Sequence, residues 1–570
     1  MGRRVVIVPG LLALLLTLLI RPAWGNRPEL PRVFVDTRLV PPTGKTIAVA
    51  ASGDVQAALD TARPGDVITL QAGATFTGPF TLPQKKGKRW ITVRTSAPDS
   101  SLPPPGTRVT PSHAAAMPKI VAGASAGHAI VAASGAHHFR FIGIEVMAAD
   151  GATTFDLVQL GSGSEPSIRT LPHDIIIDRC YIHGLAGQAA VRGVTLNGKR
   201  LAVIDSYLAE FKDQVVDTQA IMGWSGPGPF KIVNNYLEAA GENVMFGGAD
   251  PSIPDLVPSD IEIRENHFFK PTTWRDVWAV KNLFELKNAR RVLAEGNIFE
   301  NTWQAAQDGY AILFTVRNQE GRAPWSTIED VTFQKNIIRH AGSALDILTA
   351  DDPNPSQNMK RVLIRDNLFD DISAARWGGF GRFITYLGVA GASVNVTIEH
   401  NTAFYEENIL FAFGIAHTGF VYRNNITPRP ATGFGFIGDG TAEGVLTLTA
   451  FFPLAVFQHN VLAGADPAIY PAGNFFPSSL DEVGFVDRAG GNYRLAVTSP
   501  FKNSATDGTD IGADIDALEA ATAGVISGTP APCDTSHRAR LHATEGHQHE
   551  HLKTRRSSCG SRIRFRDREE

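Results

Sequence analysis

Cysteine is scarce in this chain, with three among 570 residues. So few cysteines exclude a disulfide framework as the basis of the fold. Cys180 stands among β-forming residues, whereas Cys533 and Cys559 lie near the C-terminal end and could pair with each other. Because the count is odd, at least one thiol has no partner within the chain.

Long apolar runs are absent beyond the N-terminus. Arg3 and Arg4 precede an apolar run over residues 5–20, and small residues follow at Ala23 and Gly25. This pattern is typical of a secretory signal, which we predict over residues 1–25, although an uncleaved anchor stays an alternative. We therefore expect a secreted, periplasmic or cell-surface protein with no stable membrane insertion.

A strong excess of one charge is also missing, because 53 basic residues face 57 acidic ones and the net charge is −4. Residues 537–570 carry nine basic and five acidic residues, so this stretch is +4 and the rest of the chain is −8. A net-acidic body is a poor general binder of nucleic acid, and we expect no such partner. The extension over residues 516–570 ends in a basic, histidine-rich tail typical of disorder.

The chain is rich in a short phrase that ends in asparagine, for example FKIVNNYL at 230–237 and RVLIRDNLF at 361–369. The aligned asparagines are Asn235, Asn266, Asn297, Asn336, Asn367, Asn401, Asn425 and Asn460. Successive subtraction gives intervals of 31, 31, 39, 31, 34, 24 and 35 residues. Periods in this range indicate a solenoid of repeated units.

Each phrase alternates Val, Ile, Phe and Tyr with polar residues, which favours strands, and turn-forming residues separate the phrases. One unit cannot bury its own apolar side, but stacked units bury a continuous core. The pattern predicts an all-β fold, a right-handed parallel β-helix with coils about 4.8 Å apart. The competing leucine-rich repeat requires leucine columns, which the chain lacks.

The repeated asparagines are expected at sharp corners, because asparagine tolerates left-handed backbone angles and bonds neighbouring backbone. Stacked amides can then bond up and down the column. Cys180 occupies the same position in an earlier phrase, so we predict that it is a buried corner residue. A row of ligand donors is the alternative for the asparagine column.

Residues 52–63 predict a helix with one apolar face, formed by Val55, Ala58, Leu59 and Ala62, which ends at Pro64. Such a helix would cover the open end of the first coil. We expect one monomeric solenoid over residues 48–515, preceded by an extension over residues 26–47.

The sequence resembles the pectin-lyase-like right-handed parallel β-helix superfamily at both ends of this solenoid. VQAALDTARPGDVITLQAG at 55–73 is similar to the start of such proteins, and YRLAVTSPF at 493–501 with DIGAD at 510–514 is similar to their last coil. The resemblance implies the fold but no single reaction, because lyases, hydrolases and non-catalytic binders share it. The Asn-Thr-Asp, Gly-His-Gly and Arg-x-Lys signatures of polygalacturonase-like hydrolases are absent.

A lyase of an acidic glycan needs a cation at the uronate carboxylate and a base for the neighbouring proton. In VKNLFELKN at 280–288, alternation places Lys281, Glu285 and Lys287 on the outer face. Repeat alignment places Arg317 over Lys287 one coil later. This pair resembles the Lys and Arg of the alginate and chondroitin lyase β-helix family, although Asn318 stands where that family has His.

We therefore predict that Lys287 and Arg317 are catalytic and that Lys281 binds substrate. Glu242, Asn243 and Glu285 are the expected oxygen ligands of Ca²⁺. The alternative is that the charged side chains form a solvated salt-bridge ladder.

Loops at 247–259, 303–309 and 318–328 interrupt the repeat and bring tryptophans near the same coils. Trp278 and Trp303 are predicted to stack on sugar rings, with loop packing as the alternative. His340 and Asp346 could act as acid and base or form a corner hydrogen bond.

Together these features predict an exported polysaccharide lyase that cleaves an acidic glycan by β-elimination, with Ca²⁺ as the expected cofactor. A non-catalytic glycan-binding solenoid and a glycoside hydrolase are the alternatives.

Overall fold

The structure, a computed structural model, describes residues 27–123, 127–152 and 154–529. The predicted signal at 1–25, Cys533, Cys559 and the basic tail lie outside these residues. Among the described residues, no helix has the length and apolarity that a membrane span requires.

Three long sheets of parallel strands make up the molecule, and sheet A is the longest, with 14 strands. Its strands in spatial order are Thr46–Val49, Val67–Leu70, Ile91–Thr95, His137–Ile142, His173–Asp178, Lys199–Ile204, Phe230–Val233, Ser259–Arg264, Ala289–Glu295, Ile328–Gln334, Lys360–Arg365, Val394–Glu399, Val421–Arg423 and Val456–Gln458. The spatial order is the chain order, so each coil of the chain adds one strand to the sheet.

Sheets B and C follow the same rule with 11 and 12 strands. The strands of sheet B are Thr75–Thr77, Lys119–Val121, Glu145–Met147, Tyr181–His183, Tyr207–Phe211, Tyr236–Ala239, His267–Phe269, Ile298–Thr302, Ile337–Ala341, Leu368–Ile372 and Thr402–Tyr405. The strands of sheet C are Phe80–Leu82, Ile130–Ala132, Thr154–Leu160, Ala190–Leu196, Gln219–Gly223, Glu242–Phe246, Phe284–Leu286, Tyr310–Thr315, Ser343–Leu348, Ile384–Gly388, Leu410–Gly414 and Phe436–Gly438.

The chain is a right-handed parallel β-helix, as the repeat predicts, and each complete coil contributes one strand to each sheet, whereas coils at the two ends contribute fewer. One continuous apolar core fills its interior from Val49 to Tyr470. Neighbouring coils supply the pairing and the burial that a single coil lacks. The remaining two strands, Phe485–Asp487 and Asn492–Leu495, form an antiparallel pair beyond the last coil.

The asparagine column forms a buried ladder at the corner between sheets A and B. Asn266 donates from Nδ2 to Oδ1 of Asn297 and to the carbonyl of Ile232, at 3.0 and 2.9 Å. The ladder runs without interruption from Asn235 to Asn474. Cys180 is buried at its N-terminal end, where its N–H donates to Ser206. The structural role of these asparagines is confirmed.

One detail of the corner differs from the expectation. The left-handed residue is the one that precedes each ladder asparagine, such as Glu265 at φ 57° and Lys335 at φ 52°. The ladder asparagines themselves keep negative φ. Their amides must point along the solenoid axis to reach the next coil, so the neighbouring residue makes the sharp turn.

Helix α1 (Val55–Thr61) caps the N-terminal end, as predicted. Asp54 accepts a hydrogen bond from the N–H of Ala57 at 2.9 Å, which satisfies a free donor at the helix start. Val55, Ala58 and Leu59 are buried against the first coils and close the core. Three further helices follow, α2 (Ala374–Trp377), α3 (Val445–Phe451) and α4 (Ile515–Thr522).

The first and last described segments both pack against the outside of the solenoid. The N-terminal segment lies on sheet A, where Val35 packs against Ile176 and Ala202. Helix α4 lies on sheet B, where Leu518 packs against Leu368. Neither segment covers the outer face of the central coils of sheet C, and the charged residues of interest lie there.

Candidate active site on sheet C

The outer face of sheet C carries an unusual concentration of charge around strand Phe284–Leu286. Phe284 and Leu286 point into the core and are fully buried, as alternation predicts. Glu285 between them points outward, opposite Met245 on one side and Leu313 on the other.

Glu242 lies one coil before, beneath Lys281. Lys281 Nζ is 3.7 Å from Glu242 Oε1 and 2.5 Å from Asp217 Oδ2. Gln219 donates from Nε2 to Glu242 Oε2 at 2.7 Å. Burial, reinforced by the charge of Glu285, raises the pKa of Glu242. For Lys281, burial opposes the charged form, but Glu242 and Asp217 outweigh it and raise its pKa.

Glu285 holds Lys287 on the same strand. Lys287 Nζ is 3.6 Å from Glu285 Oε1, and Thr315 Oγ1 donates to the same oxygen at 3.1 Å. Asn282 donates from Nδ2 to Glu285 Oε2 at 3.1 Å. Both oxygens of Glu285 therefore have partners.

Arg317 lies beside Lys287, but the strand register differs from the repeat alignment by two residues. The sheet pairs Leu286 with Phe314, and Arg317 lies two residues beyond the strand end at Thr315. There its N–H donates to the carbonyl of Lys287 at 3.0 Å. The guanidinium bonds Asp351 at 2.7 Å and also contacts Asp352. Asp351 and Asp352 thus anchor this arginine.

These residues form two layers, which we call the ion cluster: Glu242, Lys281, Glu285, Lys287 and Arg317. The carboxylates are the lower layer, with side chains 0% exposed for Glu242 and 2% for Glu285. The cations are the upper layer, 17% exposed for Lys281, 16% for Lys287 and 30% for Arg317. The cations therefore lie above buried negative charge, and the exposed carboxylates of Asp217 and Asp352 pair with Lys281 and Arg317 at the surface.

Asp346 belongs to the same face, and its sequence position was compatible with either an acid–base role or a corner hydrogen bond. It follows Leu313 in the outward column that begins with Glu285. Burial raises its pKa to about 7, and the charges of Glu285 and Asp308 add to the effect. Its Oδ1 has no hydrogen-bond partner in the described chain. A carboxyl that titrates near neutral pH can donate a proton in catalysis.

Asn243 lies apart from Glu242 and Glu285. It faces the interior, where its Oδ1 accepts a hydrogen bond from the buried ammonium of Lys270 at 2.9 Å. Lys270 also bonds the carbonyls of Ala239, Ala240 and Gly241. The structure thus brings two of the three expected Ca²⁺ ligands together.

Oxygen ligands for a cation are few in the ion cluster. Glu242 Oε1 and Asn282 Oδ1 lack hydrogen-bond partners, and these oxygens could contribute to a site. Lys281 stands 3.7 Å from Glu242, so Ca²⁺ would have to compete with an ammonium already in place. The donor set therefore fits Ca²⁺ only in part.

The tryptophans pack together between sheets B and C. Trp303 is 2% exposed and lies with Trp274 in a cluster that includes Ala240 and Val280. Trp278 is only partly buried, and the ammonium of Lys212 lies 5.5 Å from the centre of its ring. Trp278 thus has a free surface near Lys281, whereas Trp303 supports the loops.

His340 is not brought to Asp346. It lies on sheet B at φ 61°, and its Nδ1 is 2.7 Å from Asp371 Oδ2. Of the two expected roles, acid–base catalysis and a corner hydrogen bond, the His340–Asp371 pair corresponds to the corner hydrogen bond. No sequence signal separated Asp346 from ordinary outward residues, because its environment comes from coils 30 to 60 residues away.

No protein-family model matches the chain, and a sequence search of curated proteins finds no match. Several solved structures are similar to this chain in the path of the backbone. The catalytic unit of a GH87 α-1,3-glucanase from Streptomyces thermodiastaticus strain HF3-3 has 14% identity and a TM-score of 0.48, over 78% of this chain and 72% of that one. A PL6 family alginate lyase has 14% identity and a TM-score of 0.41, over 76% and 53%.

A pectate lyase has 13% identity and a TM-score of 0.28, over 82% of this chain and 96% of that one. At such low identity the likeness describes the backbone and does not identify a reaction.

Proposed function

We propose that this chain is an exported carbohydrate-active enzyme that cleaves an acidic polysaccharide by β-elimination at the ion cluster. The observation that carries the proposal is the order of the two layers. Three cations lie near the surface of sheet C, and they are held by the buried carboxylates of Glu242, Glu285 and Asp351 and by the exposed carboxylates of Asp217 and Asp352. Preorganised positive charge of this kind stabilises the enolate-like charge that develops during elimination.

The elimination assigns a step to each group. Arg317 and Lys281 pair with the uronate carboxylate and make the neighbouring C–H more acidic. Lys287 takes that proton as the general base. The bond from the ring to the leaving oxygen breaks, a ring double bond forms, and protonated Asp346 gives its proton to the leaving oxygen.

Glycoside hydrolysis is the second candidate, and one observation favours it. Glu285 and Asp346 lie in one outward column with a single strand between them, so their Cα atoms are about 10 Å apart. Inverting hydrolases hold an acid and a base carboxyl about 6.5–9.5 Å apart. Glu285 is nearly inaccessible, however, which disfavours it as the base that activates water.

The test is to incubate the purified protein with alginate, pectate and glycosaminoglycans, each with Ca²⁺ and with a chelator. We expect ultraviolet absorbance from an unsaturated uronate on at least one of them. New reducing ends without this absorbance would replace elimination by hydrolysis. Binding without any cleavage would overturn the enzyme and leave a glycan-binding solenoid. Activity that survives the chelator would show that Ca²⁺ is not required.

A further inference from the structure

A second polar cluster lies far from the ion cluster, at the start of three early strands of sheet A. His137 and His138 begin one strand, His173 and Asp174 begin the next, and Arg200 follows in the third. Ligand atoms of His138, His173 and Asp174 lie within 4.8 Å of one another. The side chains of these three residues are 15%, 22% and 16% exposed, so solvent reaches them.

In later coils, the position that corresponds to His138 and Asp174 forms salt bridges. Residues at this position form a column with left-handed backbone angles, and in the later coils Arg291 pairs with Asp260 and Arg361 pairs with Asp330. At the N-terminal end of the column, His138 faces Asp174 where an arginine would continue the pattern. Imidazoles flank it at His137 and His173, in place of the Arg290 and Glu329 that flank the later pairs. The imidazoles are therefore additional to what the salt-bridge ladder needs.

The nitrogen atoms converge. Nδ1 of His137 and Nδ1 of His138 are 2.8 Å apart, and His173 Nδ1 is 2.6 Å from Asp174 Oδ2. The two Nδ1 atoms would subtend an angle of about 85° at a metal ion that bound both of them at about 2.1 Å. That angle is close to the 90° of square-planar or octahedral coordination, which Cu²⁺ and Ni²⁺ prefer.

We propose that His137, His138, His173 and Asp174 form a binding site for a divalent transition metal of the Cu²⁺, Ni²⁺ and Zn²⁺ class. Imidazole nitrogens select these ions, whereas Ca²⁺ and Mg²⁺ prefer oxygen ligands. The site is separate from the proposed elimination, because its ligands lie on the fourth and fifth strands of sheet A, whereas the ion cluster lies on the outer face of sheet C in later coils.

Arg200 competes with the metal. Its guanidinium bonds both oxygens of Asp174, at 2.7 and 2.6 Å, and approaches His173 Nδ1 at 3.2 Å. A bound metal must take Asp174 from Arg200 or use the imidazoles alone. Removal of Arg200 should therefore strengthen metal binding. No such gain is expected if the histidines lie together without forming a metal site.

The experiment measures Ni²⁺, Zn²⁺ and Ca²⁺ binding by the full chain, from the rise in its thermal unfolding midpoint and by chelator competition. Ni²⁺ and Zn²⁺ should raise the midpoint, since a ligand that binds only the folded state stabilises it, and Ca²⁺ should not raise it through this site. His138→Asn keeps a residue that tolerates φ 60° and should weaken binding by about 10- to 100-fold or more, the loss seen even for outer partners of metal ligands. Arg200→Asn should tighten binding.

His340→Asn is the matched control, because His340 has the same backbone conformation and also pairs with an aspartate, Asp371, but belongs to no group of three potential metal ligands in the described chain. Histidines of the C-terminal extension add metal binding that is equal in all variants. Equal midpoint shifts in wild type, His138→Asn and His173→Gln would overturn the site. Weaker binding in Arg200→Asn would show that the cluster is only the end of the salt-bridge ladder.

Discussion

The asparagine ladder and the ion cluster are both columns of polar residues across successive coils, yet they differ in almost every physical respect. In the ladder, each amide repeats the same bonds near 3.0 Å and is fully buried. In the ion cluster, neighbouring coils contribute different residues, distances range from 2.5 to 3.7 Å, and Glu242 Oε1 has no hydrogen-bond partner. The ladder repeats the same set of hydrogen bonds in each of its coils, whereas the ion pairs of the ion cluster occur only once among the described coils.

The difference separates scaffold from site. A repeated, fully satisfied column stabilises the fold, because each buried polar group has a partner. A single column with unbalanced charge and raised pKa values costs stability, and such costs concentrate where chemistry occurs. Three variants test whether the two columns divide their roles in this way.

The largest expected effect is on activity, from Lys287→Ala in the ion cluster. Loss of a positioned general base should lower kcat by about 10²- to 10⁴-fold, measured on whichever glycan the protein cleaves. Stability to urea should change little. Lys231→Ala is the matched control, because Lys231 pairs with Glu262 on sheet A as Lys287 pairs with Glu285 on sheet C. Equal activity in both variants would remove the cluster from the reaction.

The next effect is on stability, from Asn297→Ala in the middle of the ladder. The change leaves the Asn266 amide and the Ile263 carbonyl buried without their partners, so the free energy of unfolding should fall by about 3 kcal/mol or more. Urea denaturation measures the loss. Asn358→Ala, at an exposed position, should be nearly neutral. A similar small change in both would mean that the ladder is dispensable.

The smallest effect is the pH dependence contributed by Asp346. Its pKa rises from 3.8 to about 7 on folding, so the folded state binds the proton more tightly. Its contribution to stability is therefore full below pH 3.8 and is lost as the pH rises through about 7. The stability difference between wild type and Asp346→Asn should change across this window.

Glu238 also has a pKa raised to about 7 by burial, but it is present in both proteins and cancels in that difference. If Asp346 is the proton donor, activity should decline above pH 7 and Asp346→Asn should be nearly inactive. A difference curve that is flat from pH 4 to 8 would contradict the raised pKa.

Much of the fold was predictable, because the asparagine phrase repeats and the capping helix has a clear apolar face. The site was predictable in part. Alternation placed Glu285 outward and the phrase brought Arg317 next to Lys287, but it did not reveal that Asn243 faces Lys270 inside the solenoid. Local sequence does not show which side chain an interior lysine will bind.

The sequence by itself determined the coil, its corner asparagines and its cap, because each of these depends on a periodic pattern that local residues can express. Tertiary structure alone decided which charges meet. Asp346 has a raised pKa because coils on either side bury it beside Glu285 and Asp308. The histidines of sheet A converge because strands 36 residues apart in the chain pair side by side. Such environments arise from the stacking of coils, and no single coil contains them.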